Sequence, residues 1–168
     1  MITSILKRMG WALVLLLFQV LILDQVHPMG YGAPLLCPLL IITLPRGTTR
    51  TEALLWGFGL GFAADIFAGT AGISSAALTL IAFVQPPLLE LMAPRDAEED
   101  LRPSFSALGR WNYFQFIVLL LLLHHIVYFA LEGFSYFLIE DILISLGVSF
   151  AASLLLIILI ESVRNPKE

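Results

Sequence analysis

Charge is scarce in this chain. Only 9 Lys and Arg and 13 Asp and Glu occur among 168 residues, 13% in all, about half the share of an ordinary soluble domain. So few charges cannot coat a water-facing fold, and no polar stretch is long enough for a separate soluble domain. Cysteine is nearly absent: Cys37 alone excludes an internal disulfide and any site built on several thiolates. No Ser/His/Asp or Cys/His set has a sensible placement, and there is no zinc motif and no phosphate-cradling loop. Nothing basic and aromatic points to nucleic acid. Neither catalysis, a cofactor nor a metal is expected.

What is abundant is apolar: 59% of residues, with a mean hydropathy of +0.93. This is the composition of an all-α, polytopic membrane helix bundle, read as one transmembrane domain over 1–168. Six spans are expected, at about 9–26, 30–44, 51–67, 73–92, 112–131 and 142–163, with a loop over 93–110. Lys7 and Arg8 precede the first apolar run, but Asp24, Gln25, Val26, His27 and Pro28 follow it. It reads as a retained span rather than a cleaved signal. The second segment is short and contains Pro34 and Pro38, with Pro45 at its edge. Proline removes i→i−4 bonds, and neighbours must satisfy the freed groups. Thr51 reads as the N-cap of the third helix, and Pro86 and Pro87 should bend the far end of the fourth. Phe105, Leu108 and Trp111 recur every three residues, as in a short helix lying at the membrane surface. Aromatic belts are expected at both ends of the fifth helix: Trp111, Tyr113, Phe114 and Phe116 at one, Tyr128, Phe129, Phe134, Tyr136 and Phe137 at the other.

Six spans from a cytoplasmic N-terminus put all nine Lys and Arg on the inside. They are Lys7 and Arg8, Arg46 and Arg50, Arg95, Arg102 and Arg110, then Arg164 and Lys167. This obeys the positive-inside rule without exception. Both ends then lie inside, and Asp24, His27, Asp65, His124, His125, Glu132, Glu140 and Asp141 fall in the outer half or on the outer face.

The stretch Trp56 to Gly72 stands out. Gly57, Gly61 and Asp65 recur every four residues, so a helix lines them on one face. Glycine inside a helix costs about 1 kcal/mol relative to alanine, so repeated glycine needs a packing reason. Small residues let membrane helices approach closely. The face Gly57, Gly61, Asp65, followed by Gly72, is therefore read as helix-packing or partner-docking. Asp65 has two readings as well. It caps the start of the fourth helix through the 68–72 turn, in which case Asp65→Asn should be tolerated. Or it joins Asp24, His124 and His125 in a buried polar cluster that contacts a ligand or carries a proton. His124 lies about 18 Å along its helix from Asn112, just past the midplane. Adjacent histidines diverge on a helix and are a poor metal signal.

The run Gly57-x3-Gly61-x3-Asp65, then Gly72 and Ile73-Ser-Ser-Ala-Ala-Leu78, resembles the signature of the rod shape-determining protein MreD family. The length, the charged start, the short proline-bearing second segment and the basic tail are similar too. The 93–110 loop is longer and more acidic, and the second segment richer in proline, than that family would lead one to expect. The resemblance implies a non-enzymatic adaptor of the bacterial cytoplasmic membrane, part of the cell-elongation machinery. It implies an MreC-like single-span partner, with cytoskeletal MreB and the wall-synthesis enzymes met directly or indirectly. The bundle also resembles the S-component of energy-coupling-factor vitamin transporters, which would bind a small ligand in an outward cavity. An ion-coupled exporter would need an inverted repeat with matching broken helices, which the chain does not display.

Overall fold

The computed structural model describes residues 2–26, 32–70, 72–94, 98, 100–133 and 139–164. His27, Phe134, Tyr136 and Phe137 lie outside them. Seven α-helices occur among the described residues, and five are long and apolar enough to cross a membrane. The chain is a polytopic helical membrane protein. The long helices are α1 (Ile2–Leu21), α3 (Arg50–Ala68), α4 (Ile73–Met92), α6 (Arg110–Gly133) and α7 (Ile139–Arg164). Two short ones, α2 (Pro38–Ile42) and α5 (Phe105–Leu108), lie between them, and a 3₁₀ turn over Leu23–Gln25 extends α1.

Local signals set these limits. α3 begins at an N-cap, Thr49, whose hydroxyl accepts from the Glu52 N–H at 3.2 Å. The expected cap at Thr51 is therefore two residues late. Thr49-Arg50-Thr51-Glu52 has capping-box spacing, although the Glu52 carboxylate turns instead to Arg8 of α1. Gly69 ends α3 in the left-handed region, φ 68°, and its N–H donates to the Asp65 carbonyl. α5 is capped by Ser104, which accepts from the Ala107 N–H, and Gly109 at φ 79° turns the chain into α6. α4 continues through Pro86 and Pro87 to Met92.

α4 is the centre of the bundle. Ala77, Leu78, Ile81, Ala82 and Leu89 on it are fully buried, with α3 on one flank and α6 and α2 on others. Along α6, Tyr113, Phe116, Ile117, Leu120 and Leu121 fill the core. The outward faces remain apolar: Leu13, Phe58, Phe62, Leu143 and Leu155 are all exposed, as lipid-facing side chains should be.

The expected helix over 30–44 is not a regular helix. Residues 32–36 have no helical structure, and only Pro38–Ile42 forms a single turn-and-a-half, every residue of which is buried. The reason is the density of proline. Pro34 carries no N–H and biases Ala33 away from helix, whereas Pro38 sits in the first turn of α2, where its missing N–H costs nothing. Non-helical backbone at membrane depth survives only where protein groups satisfy it, and here they do. The Ser149 hydroxyl donates to the Ala33 carbonyl. Gln19 Nε2 donates to the Pro34 carbonyl at 3.0 Å, and its Oε1 accepts from the Leu36 N–H at 2.7 Å. Ser153 Oγ accepts from the Leu35 N–H at 2.7 Å.

This segment travels along the bundle. It starts beside Gln19, about 17 Å along α1 from Arg8. It ends near Arg46, whose N–H donates to the Leu101 carbonyl at 3.0 Å. Leu44 and Pro45 there share a groove with Lys7, Arg8, Arg102 and Val163. The starts of α1 and α3, the chain before α5 and the last turn of α7 thus meet at one basic end.

Gln19 is 4% exposed, and replacing it by leucine leaves a carbonyl and an N–H without partners. Each such buried group costs about 1–3 kcal/mol. Gln19→Leu should therefore lower stability by about 2 kcal/mol despite raising hydropathy, measured by unfolding in mixed micelles.

Candidate functional site

Gly57 and Gly61 face α4. A β-carbon built on Gly57 would sit 2.7 Å from the Leu78 carbonyl oxygen and 2.8 Å from the Ala82 β-carbon. One on Gly61 would sit 2.5 Å from the Ser75 α-carbon and 2.7 Å from its nitrogen. The glycine face is thus the seam of the α3–α4 hairpin. It is filled from within the chain, and the partner-docking reading of Gly57 and Gly61 is corrected on that ground. Gly72 serves differently: nothing crowds its α-carbon, but its φ of 85° is one that only glycine adopts freely.

Asp65 closes the same seam. α4 opens at Gly72, which has no side chain to cap it. The Asp65 carboxylate, from the last turns of α3, supplies the missing cap. Oδ1 accepts from the Ser74 N–H at 2.8 Å and Oδ2 from the Ser75 N–H at 2.9 Å. The Thr70 and Ser75 hydroxyls each donate to it at 2.6 Å. These are the second and third amides of α4, where a capping oxygen normally acts, and the positive helix start suits a carboxylate. With four donors and 4% exposure, the charge is buried but fully compensated, which is the condition for tolerating it there.

The expected polar cluster separates into two groups. Asp65 shares no hydrogen bond with Asp24, His124 or His125 among the described residues. Asp24 is half-buried and accepts from Gln19 Nε2 at 2.7 Å. His125, fully buried, places Nδ1 2.8 Å from the Leu121 carbonyl and Nε2 3.2 Å from Ser153 Oγ. A carbonyl can only accept, so Nδ1 carries the proton. Nε2 then accepts from the Ser153 hydroxyl, which itself accepts from Leu35. Asp24 and His125 are therefore joined through the non-helical segment: Asp24 by way of Gln19, His125 by way of Ser153. Both thus buttress the side chains, Gln19 and Ser153, that bond this backbone. His124 is also buried. It stacks on Tyr128 with ring centroids 6.1 Å apart, and its Nδ1 has no hydrogen-bond partner among the described residues. No group of three or more His, Cys, Asp or Glu among the described residues could hold a metal.

Gln19, Ser149 and Ser153 escaped the sequence reading. Ser149 and Ser153 did carry a signal: at i, i+4 they share one face of an otherwise apolar α7. Beyond the seam, Phe58, Phe62 and Phe83 wall a shallow groove of about 750 Å³ over Ser75, Ala76 and Thr79. The outer surface of the hairpin is therefore largely apolar side chain, while Gly57 and Gly61 are turned inward to the seam. No protein-family model, no curated protein and no solved structure matches the chain.

Proposed function

We propose that this protein is a non-enzymatic membrane adaptor of the bacterial cell-elongation machinery, of the MreD type. One observation carries the reading. Gly57, Gly61, Asp65 and Gly72, on which the resemblance rests, act together as one unit that sets and caps the α3–α4 hairpin. A signature devoted to helix packing suits a scaffold better than a chemical site. The basic end, where Lys7, Arg8 and Arg102 gather, faces the cytoplasm in this reading. The irregular 32–46 segment, with α2 inside it, then counts as the sixth crossing, and both ends of the chain are cytoplasmic in the inner membrane. An MreC-like single-span protein is the direct partner, with MreB and the wall-synthesis enzymes beyond it.

Purification of the tagged protein from its native membrane in a gentle detergent, followed by mass spectrometry, tests this. A single-span protein with a periplasmic coiled coil, or wall-synthesis enzymes, should come with it. A coupling membrane subunit with two ATP-binding subunits would overturn the reading in favour of vitamin uptake.

A further inference from the structure

The basic end holds a groove of about 640 Å³. Its walls are apolar: Leu40 of α2 on one side, Leu159 and Val163 of α7 on the other. Leu159 and Val163 are themselves exposed, as are Leu6 and Met9 on the neighbouring turn of α1. The groove therefore opens sideways among lipid-facing residues, and an occupant reaching it from that side must be amphipathic. The rim is cationic. Lys7, Arg8 and Arg102 line it, and none of its described lining residues is acidic. Arg8 is neutralised by Glu52. Lys7 and Arg102 have no ion-pair partner among the described residues, and the Arg46–Leu101 backbone bond ties the chain beside Arg102. Trp11 forms part of the wall, and its buried indole N–H has no acceptor among the described residues.

We propose that this groove binds one anionic glycerophospholipid, its phosphate between Lys7 and Arg102 and an acyl chain along Leu159 and Val163. Basic pockets between membrane helices suit such head groups. A zwitterionic lipid would set its own cation against the two free ones. The site stands whether or not the adaptor reading does, because it uses neither a partner nor the α3–α4 seam.

The test is native mass spectrometry of the full-length protein, equilibrated with equal amounts of phosphatidylglycerol and phosphatidylcholine in mixed micelles. The wild type should retain one phosphatidylglycerol, with a preference of about tenfold or more, given the attraction each nearby cation exerts on anionic lipid. K7Q/R102Q should reduce that preference to about twofold. Arg50→Gln, which removes an exposed charge outside the groove, should leave it unchanged. Leu159→Trp, filling the chain channel, should weaken retention of both lipids without altering the protein's helicity. Equal retention of the two lipids by the wild type would overturn the proposal. So would a loss in Arg50→Gln matching that in the double variant, or displacement of the lipid by millimolar inorganic phosphate.

Discussion

Gly61→Leu should unfold the hairpin rather than loosen a partner. Even a methyl group at this position meets the Ser75 α-carbon at 2.5 Å and the Ser74 carbonyl oxygen at 2.7 Å. Both are backbone, so no rotamer change relieves the clash and α3 must move away from α4. Overpacking of a tight core costs about 1–3 kcal/mol where side chains can adjust, and more where they cannot. We expect about 2–3 kcal/mol for Gly61→Ala and more for leucine, read as a lowered unfolding midpoint in micelles and reduced membrane abundance. Gly59 is the control: nothing among the described residues lies within 4 Å of its added β-carbon, so Gly59→Ala should be neutral or slightly stabilising. Equal stability of the Gly61 and Gly59 alanine variants would refute the seam.

Asp65→Ala should cost about 4 kcal/mol. Hydrogen bonds between membrane helices average only about 0.6 kcal/mol in double-mutant cycles, so an ordinary polar contact would not justify that figure. Asp65 differs because one truncation strands two amides and two hydroxyls at once. The amides open a helix behind a glycine, which offers no capping side chain of its own. The geometry also reverses the expectation that a capping aspartate tolerates asparagine. Both carboxylate oxygens accept from an amide, so an asparagine NH₂ must face one N–H with another. Asp65→Asn should lose about 2 kcal/mol. Thermal unfolding of the two variants against wild type measures both, and an asparagine variant as stable as wild type would exclude the two-oxygen cap.

Much of this was legible beforehand. The limits of α4 match the expected 73–92 because glycine precedes it and a proline follows two residues after its end. The basic residues foretold a basic end. The reading of Asp65 as a cap through the 68–72 turn agrees with its hydrogen bonds, because a carboxylate one turn before a tight loop is within reach of the next helix. Other features were hidden for physical reasons. Hydropathy responds to burial and not to backbone conformation, so 30–44 reads as a span although 32–36 is non-helical. Which side chains repair that backbone depends on α1, α6 and α7 meeting it in space. That is tertiary information, and only the i, i+4 serine pair hinted at it. The glycine seam was visible as a face, but which neighbour filled it was not.

The borrowed cap bears on how the protein is made. Until α4 arrives, Asp65 enters the bilayer as a bare carboxylate with only Thr70 near it in sequence. Until α3 is in place, the first amides of α4 are equally bare. Each helix repairs the other's defect, so the two favour entry as a pair rather than one after the other. Nascent chains stalled after residue 69 should then sit insecurely in the membrane and resist alkaline extraction less well than chains stalled after residue 92. The polar residue that is costliest on its own becomes, during synthesis, the clasp that makes two helices behave as one inserting unit.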